Sequence, residues 1–481
     1  PDRNIFTIQQ GVAIGLFVKY ARPPASAGLA GTQPERDHRR RQAAPLARVY
    51  HADVWGQRAV YTTGMHGARQ LSGGKLGWLA EHTRANTPWQ ICHPDAPFYL
   101  FTPRDDSHQS EYGAYWRLPD IFALNGHPAP GLLTCHDAFA IAWSAQEMEA
   151  KIAELLAASS EEEARTRFRL CAQSQWNYAA ACRALSTGSW RPALGHVSYR
   201  PFDTRWTVFE RHVAVHLRER VTRHLRAGPN LALVVGRAGQ AVRGGAWDVA
   251  FCSRLPTEFN FYRRGGNYLF PLYLYPASGA ARVANLAPPF IAEISRRLGL
   301  NWLADGAGDL LHTFGPDDIF AYIYAWLYAP GYRARYADFL KIDFPRIPLP
   351  AHLELFRALC QLGHALSRAH LLEHRQPGEA AWSVNDDPLV SEVRYLAPAV
   401  PGGGQIFINA ACSIAPVPES AWSFTIGGYQ VARKWLLDRA GRRLSPAELT
   451  HYRQIIASLV DTTRLMDEIE LAMREHNGWF D

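Results

Sequence analysis

Three prolines in seven residues, in the run Phe344-Pro345-Arg346-Ile347-Pro348-Leu349-Pro350, constrain this chain more than any other feature. Each fixes its own φ near −65° and lacks an amide donor, so the run must be extended. It lies between two helical patterns, 317–329 and 352–373, and keeps them from fusing into one rod. Around it the pattern alternates between periods. Strand-like runs stand near 98–102, 132–143, 205–209, 230–236, 247–252 and 268–275, and helical runs at 211–227 and 288–299. The first of those two helices is stopped by Gly228-Pro229. A helical stretch over 145–185 begins at the capping box Ser144-x-x-Glu147, with a second start at Ser160-x-x-Glu163. Towards the end come strands near 391–396, 404–409 and 422–426 and a helix at 429–437. A last long helix starts at Ser445-Pro446-Ala447-Glu448, and its apolar positions from Leu449 to Ile469 keep a helical period. Residues 5–18 read as two short strands around Gly11. Residues 21–47, rich in Ala, Pro, Gly and Arg, cannot bury themselves and are expected to be a flexible loop. The fold class is therefore mixed α/β and α+β, and 481 residues imply two to four domains at roughly 150 residues each.

No apolar run reaches the ~18–20 residues that span a bilayer, and no signal peptide opens the chain. Seven scattered cysteines form neither a CxxC pair nor a disulfide framework. The expectation is a reduced, cytoplasmic protein with no membrane partner. Its start at Pro1, straight into a strand-like run, is that of a piece of something longer.

Charge is localised. Between Arg200 and Arg264 there are twelve arginines, no lysine and five acids, an excess equal to the chain's whole net charge of +7. Aromatic neighbours (Tyr199, Phe202, Trp206, Phe209, Phe261, Tyr262) complete the composition of a nucleic-acid surface, since arginine's planar fork suits phosphates and guanine edges. The candidate DNA-binding residues are Arg200, Arg205, Arg237, Arg254, Arg263 and Arg264. The alternative is a solvated helix face plus core aromatics; for Arg200 and Arg205 it is a brace, the two pairing with Asp203 across a turn.

Catalytic motifs come close and fail. Asn86-Thr87-Pro88-Trp89 approaches the Asn-Pro-Pro-aromatic signature of amino-group methyltransferases but has Thr second and no apolar strand before it. Val234-Val235-Gly236-Arg237-Ala238-Gly239 places glycines after a strand, yet no helix pattern follows to hold a phosphate. Asp137 with Glu149-Ala150-Lys151 has the order of metal-dependent nucleases, but the latter three fall in a capped helix instead of a strand. Cys92-His93 and Cys135-His136 have no metal-ligand spacing, and no nucleophile-elbow pattern exists. Neither a catalytic residue nor a metal ligand is assigned.

The runs 5–18, VYHADVWG (49–56), PFYLF (97–101), YRPFDTRW (199–206), NLALVVGR (230–237), NYLFPLYLYP (267–276), the long run 317–350 ending in FLKIDFPRIPLP, and IGGYQVARKWLLDR (426–439) form an ordered set. Taken together they resemble the C-terminal half of Type ISP restriction–modification enzymes with an N6-adenine methyltransferase. The resemblance implies that residues 1–60 are the last strands of a methyltransferase sheet. It implies a mixed α+β DNA target-recognition domain over 75–385, and over 386–481 a specificity-domain tail of strands then helices. The AdoMet-binding loop and the catalytic motif would lie upstream, so no cofactor is expected here and AdoMet is implied only for the full-length enzyme. The partners implied are double-stranded DNA and the upstream methyltransferase, nuclease and translocase regions of the same polypeptide. Thr134-Cys135-His136-Asp137 stands where the family's Thr-x-Arg-Asp would place a DNA-facing arginine. Two other readings stay open: a complete but divergent methyltransferase or nuclease, and a non-catalytic nucleic-acid-binding scaffold.

Overall fold

The computed structural model describes residues 48–63, 68–94, 99–237, 246–263, 266–373, 378–383, 387–398, 403–476 and 478. The strands expected around Gly11, the loop 21–47 and Arg264 lie outside them. The chain divides into two units, Pro1–Asp106 and Ser107–Asp481. In the first, Val49–His51 pairs antiparallel with Gln90–Cys92. Val60–Thr63 pairs with Arg69–Gly73, which runs straight into the helix Gly74–Glu81.

The second unit is a mixed α/β assembly of several small sheets, in keeping with the fold class read from the sequence. Its central sheet has the order Ala250–Ser253, Ala232–Gly236, Asn267–Pro271, Ala129–Pro130, antiparallel throughout. The strand Ala232–Gly236 is buried at every residue, as its uninterrupted apolar run requires. Above it lies the helix Pro316–Tyr328, apolar on all sides and buried along nearly its whole length. Its tyrosines carry hydroxyls into this core, and each finds a partner: Tyr328 donates to the Ala250 carbonyl (2.7 Å), Tyr322 to that of Pro348 (3.1 Å), and Tyr324 meets His370 Nδ1 (2.6 Å). The helix Leu353–His370 packs on it so closely that a side chain at Gly363 would collide with the Ala321 carbonyl. The last helix, Pro446–Glu475, covers Leu353–His370, and its Ser445 box forms as expected, Ser445 accepting from Glu448 N and Glu448 from Ser445 N. The proline run is extended, with Arg346–Ile347 paired to Trp116–Arg117. A second four-stranded sheet, Ala381–Ser383, Ser413–Val417, Gly404–Phe407, Arg394–Leu396, completes the C-terminal part.

Five local expectations change. The run near 98–102 forms no strand over its described residues, 99–102. The stretch 145–185 is three helices, Ala145–Ala157, Glu161–Phe168 and Tyr178–Ser186; Ser144 and Ser160 cap the first two, and Arg169 at φ 49° ends the second. These enclose a separate small core with Phe139, Trp176 and Trp190. The helix expected from 211 starts only at Glu219, because Val213, Ala214 and Val215 are buried consecutively, which one face of a surface helix cannot do. Residues 422–426 are a helix end, Glu419–Ser423, followed by a two-residue strand, Thr425–Ile426. The run 132–143 holds the short helix Asp137–Ala140. No helix among the described residues is long and apolar enough to cross a membrane.

Candidate nucleic-acid interface

The run YRPFDTRW forms the turn of a hairpin between Leu194–Arg200 and Asp203–Val208. Phe202, at φ 60°, takes the left-handed position, buries its ring against Phe251 and gives its carbonyl to His451 of the last helix at 2.8 Å. Asp203 is therefore turned inward, where two guanidiniums meet it. Arg205 grips it through Nε (3.0 Å) and Nη2 (2.7 Å), and Arg439 through Nη2 (2.9 Å). Burial alone would raise this carboxyl, but the Arg205 hydrogen bonds and the two positive charges hold it below the usual carboxylate range. Arg439 also meets Glu448 at 3.2 Å, and the guanidiniums of Arg205, Arg439 and Arg442 gather on the Trp143 ring at 3.1, 4.8 and 3.6 Å. Two of the runs that carry the resemblance, 199–206 and 426–439, thus meet at a buried ion-pair hub.

Arg200 is equally enclosed. It donates to Glu258 at 2.8 Å and to the Tyr199 carbonyl at 2.6 Å, with Asp137 at 3.9 Å and the Tyr199 ring 3.8 Å beneath it. Glu258 has no exposed surface; burial pushes its carboxyl up to about 7 against the pull of Arg200, and the Asp137 charge adds to the rise. Arg205 is the brace that the sequence offered as an alternative. Arg200 braces as well, but against Glu258 instead of Asp203.

The other candidates sit differently. Arg237 is 49% exposed and 3.5 Å from Asp343; Arg254 is 51% exposed and donates to Glu373 at 2.7 Å. Arg263 is exposed, with no acid in ion-pair reach among the described residues. The structure thus joins Arg200 and Arg205 to interior acids and leaves the side chains of Arg237, Arg254 and Arg263 on the surface. The helix Glu219–Arg226 falls within the helical run expected over 211–227, but its arginines were not among the candidates: Arg220, Arg223 and Arg226 are exposed and no acid among the described residues is paired with them. The signal was present: between Arg211 and Trp247 the chain holds seven arginines and one acid, Glu219.

The near-miss motifs resolve structurally. The Asn86 amide closes a turn on Thr83 and Glu81, and Trp89 donates to the Arg84 carbonyl. Gly236 lies in a strand antiparallel to both neighbours, and a side chain there would run into Val249, so its lack of one serves packing; Ala238 and Gly239 of the same run lie outside the described residues. Lys151 donates to the Ile141 carbonyl (2.6 Å) and pairs with Glu147 (3.1 Å), while Glu149 faces solvent. His136 is buried, edge-on to Trp176 and bonded to the Val213 carbonyl at 2.8 Å, and burial lowers its pKa. The position that resembles a DNA-facing arginine is occupied by an inward side chain. Among the described residues no group of three or more His, Cys, Asp or Glu could hold a metal ion.

The solved structures to which the chain is similar include three complexes with DNA or a DNA mimic. One is a nuclease-deletion mutant of the Type ISP restriction-modification enzyme LlaGI in complex with a DNA substrate mimic (19% identity, TM-score 0.58, covering 82% of this chain and 37% of that one). The others are the ATP-dependent Type ISP enzyme LlaBIII bound to DNA (15%, 0.59, 79% and 26%) and a DrdV–DNA complex (17%, 0.60, 82% and 41%). At these identities the likeness is one of fold, and the chain spans well under half the length of each. No curated protein matches it. Residues 120–468, most of the chain and all within the second unit, match the Type ISP C-terminal specificity domain, and the chain belongs to that family.

Proposed function

We propose that this chain selects the DNA site at which a restriction–modification polypeptide acts. The observation that carries the reading is the specificity-domain match over residues 120–468. The fold shared with enzymes solved on DNA and the arginine excess in 200–264 support it. In this reading residues 75–385 form the target-recognition region. Residues 386–481 brace it, Arg439 and His451 of the tail holding the Asp203 turn. The methyl transfer, to adenine N6 on the resemblance of the runs above, belongs to an upstream part of the polypeptide. So do AdoMet and any nuclease or translocase.

Duplex DNA is the partner, and its site is expected to be short and non-palindromic, because one recognition region without twofold symmetry has no reason to read a palindrome. Phosphate contacts set affinity and one or two arginines on guanine set sequence, each worth about 1–3 kcal/mol of discrimination. Selection from a random duplex library, then binding at several salt concentrations, tests this. With four to seven arginines on phosphates the log–log salt slope is roughly −4 to −6. A flat salt response or an unenriched library would leave an inert scaffold instead. Calorimetric titration with AdoMet is expected to show no measurable binding, and micromolar affinity would overturn the division of labour.

A further inference from the structure

We propose that the helix Glu219–Arg226 is a phosphate-contacting element for duplex DNA, through Arg220, Arg223 and Arg226. The assignment rests on the DNA-recognition reading and adds to it a surface that is not among the six arginines singled out from sequence.

At 3.6 residues per turn the helix divides cleanly. Val221, Thr222, His224 and Leu225 are buried and occupy one continuous arc. Arg220, Arg223 and Arg226 are exposed and span the opposite arc, about 120° wide, which they share with the exposed Glu219 of the first turn. The buried arc is fixed to its surroundings: Thr222 donates to the Leu217 carbonyl (2.8 Å), and His224 Nδ1 accepts from Tyr275 N (3.0 Å). Burial holds His224 down to about 4, so the anchor is neutral and the charge is confined to the outer arc.

The three guanidiniums make few contacts. Arg220 reaches the Pro128 carbonyl at 3.4 Å, Arg223 Nε the His224 ring at 3.3 Å, and Arg226 lies 4.5 Å from the Phe209 ring centre. Each keeps most of its five donors, and among the described residues none is paired with a carboxylate. Glu219, in the first turn, is the one acid of this helix. Arg220 and Arg226 stand about 9 Å apart along the helix axis, a span over which one DNA strand, at ~3.4 Å per phosphate, offers two or three. A set of unneutralised cations on a rigid, neutral base is what a phosphate backbone requires. Acid-paired arginines would first have to give up a partner.

Arg223 and Arg226 also sit in the last helical turn, where a cation favours the helix dipole. The test separates the two roles. The triple variant Arg220→Gln, Arg223→Gln, Arg226→Gln of the 481-residue chain is measured by fluorescence anisotropy on a labelled 30-base-pair duplex of mixed sequence across a salt series. The salt slope is expected to fall in magnitude by about 2–3, with affinity reduced alike on all sequences. The matching triple Lys variant is expected to keep the slope. Three single Gln variants, each expected to remove about 0.9, serve if the triple melts early. A wild-type slope retained by the Gln variants, with only melting temperature lowered, overturns the assignment and leaves the dipole role. A wild-type chain that binds DNA without salt dependence overturns the DNA-recognition reading itself.

Discussion

Two groups of arginines, fewer than twenty residues apart in sequence, put the same side chain to opposite uses. Arg200 and Arg205 flank the hairpin turn and lie inside the protein, each held by a carboxylate with almost no exposed surface, Glu258 and Asp203. Arg220, Arg223 and Arg226 share one outer arc of a helix and have no ion-pair partner among the described residues. A guanidinium in the interior needs a carboxylate to offset lost hydration, and once satisfied it positions backbone instead of binding a ligand. A surface guanidinium without an acid keeps its field for something outside. The charge surplus of the 200–264 window is therefore not one surface: four of its arginines (200, 205, 237 and 254) are within reach of acids.

The largest effect is expected at the hub. Asp203→Asn leaves Arg205 without a counter-charge and Arg439 with Glu448 alone, and breaking such a buried pair typically costs about 3–5 kcal/mol. Urea unfolding measures it. Below the melting temperature the salt slope of DNA binding is expected to be unchanged, since neither arginine faces solvent. A loss under about 1 kcal/mol, or a slope that drops with the variant, would erase the contrast between the two groups.

Glu258 sharpens the same contrast through pH. Its folded pKa, about 7, lies above the ordinary 4.5, so the native state holds the proton more tightly than the unfolded chain. Its contribution to stability is full below about 4.5 and is lost as pH rises through 7, an effect on the order of 3 kcal/mol. The buried histidines act in the other direction: His370 and His224 are depressed to about 3 and 4 and add stability as pH rises. The stability difference between wild type and Glu258→Gln isolates the one carboxyl, and wild type is expected to lose ground to the variant between pH 5 and 8. A difference that is flat across this range would mean that Arg200 keeps Glu258 ionised throughout.

What was legible in the sequence is what depends on neighbours in the chain. The Ser144, Ser160 and Ser445 caps, the extended proline run and the last helix all follow from residues within a few positions of each other. So does the helix stop at Gly228-Pro229. The Arg205 brace was legible as an alternative because Asp203 is two positions away, but the other pairings were not, because the partners are remote: Glu258 lies 58 positions from Arg200, Glu373 lies 119 from Arg254, and Arg439 lies 236 from Asp203. Composition counts charges without pairing them. Of the five candidates within the described residues, Arg200, Arg205, Arg237 and Arg254 reach acids. The acid-poor stretch from 211 to 247, with arginines three apart, is a local signal of unpaired charge, since a segment with one carboxylate cannot neutralise itself.

The smallest effect is expected between the two groups, at Arg254. It pairs with Glu373 like an interior arginine, at 2.7 Å, yet half of it is exposed like an outer one. Exposed pairs contribute about 0–1 kcal/mol, because water screens the attraction and two long side chains lose freedom. Arg254→Gln is therefore expected to lower stability by less than about 1 kcal/mol, against several for Asp203→Asn. Its effect on DNA binding decides which group it belongs to. If Glu373 holds it, the salt slope stays as in wild type. If DNA displaces Glu373, the slope falls by about 0.9, and Glu373→Gln tightens binding by removing a competitor for the same guanidinium. The second outcome would make acid pairing on this surface a reversible latch. It would narrow the contrast to one between buried and exposed arginines, whatever their partners.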